Sequence, residues 1–437
     1  MNLSDWLGYI ETLHVREIEL GLERVREFAE RLQLYPVSAR VITVAGTNGK
    51  GSCVATLEAL LLAQGFRVGA YTSPHLQRYN ERIRTGGRDV SDAALCEAFA
   101  RVEQCRQQTP LTYFEFGTLA ALWLFQQADL DVVILEVGLG GRLDAVNIID
   151  CDIAIITSID LDHMAWLGTT REAIAFEKAG IMRSGRPLVC ADRSPPAGML
   201  ELAANSAVPV YQIGQEFDQS SDAEGQWSWS GRGRDDSRQQ VTGLPIPGLH
   251  ADGVAAALQA LELLEWRPDP AILGAVLGSL SLAGRFEQFY DPIRSCQVIL
   301  DVAHNPAAAR LLASRLQQWR VDGGAGDRAK ILLVLAIMAD KDVPGVVAAL
   351  DSVVDIWYIA QVDQARCMPA QQLAEHTESI ISSSDLSVYQ DVPSAYQAAC
   401  RAAGPEDVVV VTGSFFTVAE IRNLLGENTL ANNFSVR

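Results

Sequence analysis

Residues 41–52 read VITVAGTNGKGS, and the order of parts in that stretch decides the fold. Val41 to Ala45 is a short, β-branched apolar run without polar alternation, the pattern of a strand buried on both faces in a parallel sheet. It runs directly into Gly46, Thr47, Asn48, Gly49, Lys50, Gly51 and Ser52. Ser52 to Gln64 then places apolar residues at helical spacing, with Gly65 as the stop. Strand, glycine loop and helix in this order let backbone N–H groups and a helix N-terminus surround phosphate oxygens. Lys50 is placed to neutralise β- and γ-phosphates, and the Ser52 hydroxyl to ligate Mg²⁺. The loop is a shortened variant of the phosphate-binding motif, because Val44 stands where its first glycine belongs.

Outward from this unit the alternation continues through Arg67 to Tyr71, Val132 to Val137, Ile153 to Ile156 and Leu188 to Ala191. A second series starts near Gln297 and continues through Ile331 to Ile337, Ile356 to Ala360 and Val408 to Thr412, each followed by a helical stretch. The fold class is therefore α/β: an N-terminal P-loop ATPase-type parallel-sheet domain, residues 1–284, and a smaller C-terminal Rossmann-like α/β domain, residues 285–437. The boundary falls between about Leu280 and Ser295. Residues 215–240, polar and Gly/Ser-rich with two tryptophans, are expected to form an irregular excursion or twisted hairpin rather than core.

The length of 437 residues suits about two or three domains. A hydrophobic share of 49% predicts a folded chain. Lys plus Arg total 35 against 54 for Asp plus Glu, a net charge of -19, which argues against a nucleic-acid partner held by a broad basic surface. Any polyanion must be met locally, at a loop or metal. No apolar stretch approaches the roughly 20 residues that span a bilayer, and Met1 to Ile10 lacks the pattern of a secretory signal. Eight cysteines are scattered singly, which predicts reduced, buried thiols in a cytoplasmic protein.

A second glycine loop, Gly138-Leu139-Gly140-Gly141-Arg142-Leu143, comes after the run Val132 to Val137. A dinucleotide fingerprint would need glycine at Leu143 and a helix starting there, so nicotinamide chemistry is disfavoured. The Asn-Lys-x-Asp signature of guanine recognition is absent too. Glu136 closes a buried strand on the phosphate-loop side of the sheet, where a carboxylate either holds Mg²⁺ or faces solvent. His163, in Asp162-His163 after the run Ile153 to Ile156, is a ligand candidate or a structural histidine. Lys178, near a helix end, either complements the helix dipole or, kept neutral by burial, adds CO₂ to become a carbamate.

Several segments together resemble the folylpolyglutamate synthase family, a branch of the Mur-ligase-like superfamily. They are TVAGTNGKGS, SPHL from Ser73, FEFGTLAALWLF from Phe114, LEVGLGGRLDAVN from Leu135, TSIDLDH from Thr157 and FEKAGI from Phe176. DVAHNP from Asp301, MADKD from Met338 and GSFFTVAE from Gly413 are similar to its second domain. LGLERV from Leu20 and LTYFEFGT from Leu111 resemble the bifunctional bacterial form that is also a dihydrofolate synthase.

The resemblance implies an ATP-dependent ligase that adds L-glutamate to dihydropteroate and to reduced folates through an acyl phosphate, with small-molecule partners and as a monomer. It implies an ATP-binding N-terminal domain, a glutamate ligase C-terminal domain and ATP in the cleft between them. Gly46 to Ser52 would grip the phosphates, and Ser52, Ser73, Glu136, His163 and a carbamylated Lys178 would hold Mg²⁺, in two ions. Lys50, Lys178 and His163 would be the catalytic set. The pterin substrate would lie along Glu19, Leu20, Gly21 and Leu22, along Thr112, Tyr113, Phe114 and Glu115, and along Leu143, Asp144 and Ala145. Arg285, Asp301 and His304 would contact the nucleotide from the second domain. One departure concerns the helix near Gly253, where the family carries an asparagine; this chain reads His250-Ala251-Asp252-Gly253-Val254, leaving Asp252 or a backbone group as substitutes. The rival readings are a Mur-type amino-acid ligase acting on a nucleotide-linked sugar, and a nucleotide-gated binding module that hydrolyses ATP.

Overall fold

The computed structural model describes residues 1–434 except 17, 36, 223, 323–328 and 382–384. The chain divides into two compact units, Met1–Leu280 and Ser281–Arg437.

The first unit is built on eight strands: β1 (Arg40–Ala45), β2 (Val68–Tyr71), β3 (Ile83–Thr85), β4 (Arg88–Asp89), β5 (Val132–Glu136), β6 (Ile153–Ile156), β7 (Leu188–Cys190) and β8 (Val210–Gln212). They lie in the order β4-β3-β2-β5-β1-β6-β7-β8. Pairing is parallel from β2 to β8, and β3 and β4 fold back antiparallel at one edge. β1 takes a central place between β5 and β6, with Val44 beside Glu136 and Ala45 beside Ile156. The loops that leave these three strands therefore emerge side by side at the carboxyl ends, where open α/β sheets bind ligands. The core strands are buried on both faces, as their unbroken apolar runs require.

Residues 215–240 hold the expected hairpin, formed by the second and third of three strands, but depart from expectation in burying both tryptophans. β9 (Asp218–Ser221), β10 (Gln226–Arg232) and β11 (Arg238–Pro245) form a separate three-stranded antiparallel sheet. Trp227 is 0% exposed and Trp229 4%, so one face of the segment is core. Along β10, Trp227, Trp229 and Gly231 alternate onto the buried face, and the Trp229 indole N–H donates to the Ala255 carbonyl in the helix Ala251–Leu263 (3.1 Å). A Cβ at Gly231 would stand 2.2 Å from the Trp229 ring.

The second unit carries β12 (Glu287–Asp291), β13 (Cys296–Leu300), β14 (Ile331–Leu335), β15 (Ile356–Ile359), β16 (Leu386–Val388) and β17 (Val408–Thr412). Their order is β12-β13-β17-β14-β15-β16, parallel except for the β12–β13 hairpin. β13, β14, β15 and β17 are the runs expected from sequence; β12 is an added antiparallel edge. Among the described residues no helix is long and apolar enough to cross a membrane, and the eight cysteines are free.

Candidate active site

The phosphate loop is shaped by what surrounds it. Gly49 takes φ +85° as the N-cap of the helix Lys50–Ala63, a left-handed turn that glycine accepts without strain. A Cβ on Gly46 would lie 1.9 Å from the Thr157 hydroxyl, so the loop presses against the segment after β6. That segment is stitched to it: Thr47 N–H donates to Ser158 O (2.8 Å), Asn48 N–H to Ser158 Oγ (2.9 Å), and Thr157 Oγ1 to Asn48 O (2.6 Å). Thr47 Oγ1 accepts from Asp160 N–H (3.0 Å) and donates to Asp160 O (3.1 Å). Lys50 Nζ donates to Gly46 O and Thr47 O (3.0 and 3.3 Å), which folds the ammonium over the loop. Ser52 is buried in the first helical turn, and its Oγ accepts from His250 N–H (3.4 Å).

Two of the residues singled out from sequence, Glu136 and Lys178, lie beside the loop. Glu136, 4% exposed, is an inward carboxylate rather than a solvent-facing one, and its Oε2 accepts from Ser73 N–H (3.2 Å). Lys178 is 3% exposed in the helix Arg171–Ala179, too buried to serve as a surface cation for the helix dipole. Burial pulls its pKa down to about 7, helped by repulsion from Lys50 and opposed by Asp162. His163 stands in the loop after β6, exposed and left-handed (φ 50°), at the start of the short helix Met164–Leu167. Among the described residues no group of three or more His, Cys, Asp or Glu could hold a metal by itself. The donor set expected from sequence nevertheless suits Mg²⁺: the hydroxyls of Ser52 and Ser73, the Glu136 carboxylate and a Lys178 carbamate would be hard oxygens, beside one imidazole nitrogen from His163.

The second glycine loop has a different purpose. A Cβ on Gly141 would meet the carbonyl oxygens of Glu177 and Lys178 at 2.9 and 3.0 Å, and one on Gly138 would meet the Phe114 ring at 2.7 Å. Arg142 N–H donates to Glu177 O (2.7 Å), so the loop lies flush against the helix that carries Lys178. A 3-10 turn, Ala145–Ile148, comes next, capped by Asp144. The Asp144 carboxylate accepts N–H bonds from Leu139 (2.8 Å) and Val146 (3.0 Å), and burial pushes its pKa up to about 7.

At the expected pterin site, Glu115 is buried in a capping box with Thr112 at the head of the helix Tyr113–Gln127. Sequence reasoning missed its partner: Arg24 forks onto both Glu115 oxygens (2.8 and 2.9 Å) and reaches Glu19 (3.2 Å). Glu115 is thus occupied by Thr112 and Arg24, and Arg24 links it to Glu19. A buried carboxylate that needs a cation, with Arg24 in LGLERV, was the available signal. Tyr113 packs edge-on to Tyr79, Phe114 packs near Tyr71, and Leu20, Gly21 and Leu143 stay partly exposed while Leu22 and Ala145 are buried.

His250 caps the helix Ala251–Leu263, its Nδ1 accepting from Gly253 N–H (3.2 Å). A Cβ on Gly253 would stand 3.1 Å from Gly49 O, which explains a small residue here. Asp252 is turned to Arg193 (2.8 Å) and Gln219 (3.0 Å).

In the second unit Asp301, after β13, accepts N–H bonds from Phe286 (2.8 Å) and Ala303 (2.9 Å). Burial raises its pKa, against the pull of Arg285 and Arg315. The Arg285 guanidinium lies 5.0 Å from the Phe415 ring and the His304 ring 6.2 Å from it, so these three residues share one neighbourhood.

Comparison with known proteins accords with this geometry. Residues 44–229 match the Mur ligase middle domain and residues 284–415 the Mur ligase glutamate ligase domain. The dihydrofolate synthase/folylpolyglutamate synthase of Escherichia coli (strain K12) is 42% identical over 423 residues, covering 97% of this chain and 95% of that protein. This chain belongs to the dihydrofolate synthase/folylpolyglutamate synthase family. The structure of E. coli FolC in complex with DHPP and ADP superposes with a TM-score of 0.90 at 41% identity, covering 98% of this chain and 99% of that one. A bifunctional member of the family with Mn, AMPPNP and L-glutamate bound gives 0.87 at 44% identity, with 98% of each chain covered.

Proposed function

We propose that this chain is the ATP-dependent ligase that joins L-glutamate to dihydropteroate, forming dihydrofolate, and to reduced folates, forming polyglutamates. The observation that carries this reading is a phosphate loop and the buried Glu136 carboxylate at the carboxyl ends of adjacent parallel strands, with the buried Lys178 of the helix Arg171–Ala179 close to Lys50. We assign residues 1–284 to ATP and pterin binding and 285–437 to the glutamate ligase domain, working as a monomer in the cytoplasm.

A carboxylate resists attack by an amine, because its charge repels the nucleophile and oxide is a poor leaving group. The substrate carboxylate therefore first attacks the γ-phosphorus of ATP, releasing ADP and giving an acyl phosphate. The loop N–H groups and Lys50 meet the charge that spreads over the transferring oxygens. The neutral amine of glutamate then adds to the acyl carbon, and phosphate leaves as the amide forms and a proton is lost. Arg24, held by Glu115 and Glu19, anchors the pterin end so that the carboxylate arrives in one orientation. Lys178, whose pKa burial lowers to about 7 so that a neutral fraction is available near that pH, can add CO₂ at Nζ with loss of a proton, which turns a cation into an oxygen ligand. Ser52, Ser73, Glu136, His163 and a carbamylated Lys178 would hold Mg²⁺, whose positive charge would offset that of the polyphosphate. Arg285, Asp301 and His304 are assigned to nucleotide contacts.

The test is ADP release with MgATP and L-glutamate in the presence of dihydropteroate, tetrahydrofolate or neither, with product mass measured. Glutamyl adducts of both pterins are expected; ADP formed equally without a pterin, and no adduct, would overturn the reading in favour of a nucleotide switch.

A further inference from the structure

The segment leading to Asp162 and His163 is fastened at three consecutive residues. Ser158 is held by the N–H groups of Thr47 and Asn48, and Asp160 by the Thr47 hydroxyl. Ile159, between them, is held from the opposite side by a pair of side chains. Asp192 Oδ2 accepts from Ile159 N–H (2.7 Å), and Arg171 Nε donates to Ile159 O (2.8 Å). Arg171 Nη2 closes the ring on the two Asp192 oxygens (3.2 and 3.1 Å) and also donates to Ser194 O (3.0 Å). Asp192 Oδ1 accepts from Ser194 N–H (2.8 Å), which fixes the carboxylate just after β7.

Both polar groups of Ile159 are thus gripped by one ion pair, with Asp192 only 8% exposed. Arg171 is also the first residue of the helix that carries Lys178. A cation in a first helical turn opposes the helix dipole, so its place there serves the loop rather than the helix. The pair ties the end of β7, the His163 segment and the Lys178 helix together.

We infer that Arg171 and Asp192 are positioning residues that set His163 and Lys178 against the phosphate loop and so determine metal affinity in the nucleotide complex. This rests on the reading of His163 and Lys178 as metal ligands. A lysine at 171 keeps the charge but lacks the planar fork that serves Ile159, Asp192 and Ser194 at once.

The experiment measures Mn²⁺ binding by electron paramagnetic resonance to the full chain with AMPPNP, for the parent, Arg171→Lys and Asp192→Asn. Each variant should bind Mn²⁺ about 10-fold more weakly. The metal concentration for half-maximal ligase activity should rise by the same factor, while KM for glutamate at saturating metal stays unchanged. Mn²⁺ affinity within about twofold of the parent, in a variant with parental circular dichroism, would overturn the inference. If Asp192→Asn fails to fold, Arg171→Lys decides alone, since that side chain is 38% exposed. A parent that binds no Mn²⁺ with AMPPNP would refute the metal-ligand reading itself, and the inference with it.

Discussion

Two glycine loops leave neighbouring strands of the same sheet, one after β1 and one after β5, and they use glycine for different reasons. In Gly46–Ser52 the glycines let the loop press against the segment after β6 and allow a left-handed entry into a helix. In Gly138–Leu143 they remove side chains so that the loop can lie on Phe114 and on the carbonyls of Glu177 and Lys178. The first is shaped to receive an anion, and the second to bring a helix close. Glycine content alone does not mark a phosphate site. The element after each loop does, a fourteen-residue helix in one case and a single 3-10 turn in the other.

Substitutions can separate the two roles. The largest effect is expected for Lys50→Ala, which removes the only cation contributed by the first loop. ADP release should fall by about 10³-fold with the fold intact, and a variant that still forms acyl phosphate at parental rate would show the loop to be misassigned. Lys178→Met, at the helix backed by the second loop, should abolish amide formation and at the same time stabilise the fold. Lys178 titrates at about 7 when folded against an ordinary 10.5. The unfolded chain therefore binds more protons between those values, and the burial penalty is complete below pH 7 and fades as pH rises toward 10.5. In CO₂-free buffer, where Lys178 Nζ stays an amine, the variant should melt above the parent at about pH 6.5 by a margin that closes at alkaline pH. An equal margin at both ends of that range would contradict the assignment of a buried amine.

Gly141→Ala should cost about 1–3 kcal/mol of stability, read in denaturant titration, because the added methyl presses on two helix carbonyls. Its KM for ATP should stay within twofold of the parent, whereas Gly46→Ala should raise that KM sharply. Equal effects on ATP from both would erase the distinction between the loops. The smallest change is expected for Asp301→Asn in the second unit, whose two N–H bonds an amide oxygen can only partly keep. A few-fold rise in KM for ATP is the expected outcome in steady-state kinetics.

How much of the molecule is legible in its sequence depends on how far apart the cooperating residues lie. The phosphate loop is contiguous, and the parallel strands announce themselves as unbroken apolar runs, so both were legible. The Arg24–Glu115 pair joins residues 91 positions apart, and Arg171–Asp192 joins residues 21 apart across a strand and a loop. No local pattern marks either one. Trp227 and Trp229 were hidden by polar neighbours: in a two-residue period only one face of β10 is buried, and the composition of the segment averages the two faces. The surface role read as an alternative for Glu136 and Lys178 is removed by burial, a property of tertiary packing that position in a strand or helix does not fix.

Activation of a carboxylate by phosphorylation at the phosphate loop is the step on which the proposed chemistry depends. The most direct test supplies dihydropteroate labelled with ¹⁸O in its carboxylate, together with MgATP and L-glutamate, and traces the isotope into released phosphate by mass spectrometry. One labelled oxygen per phosphate is predicted for each amide formed. Phosphate without label, at full amide yield, would contradict that chemistry.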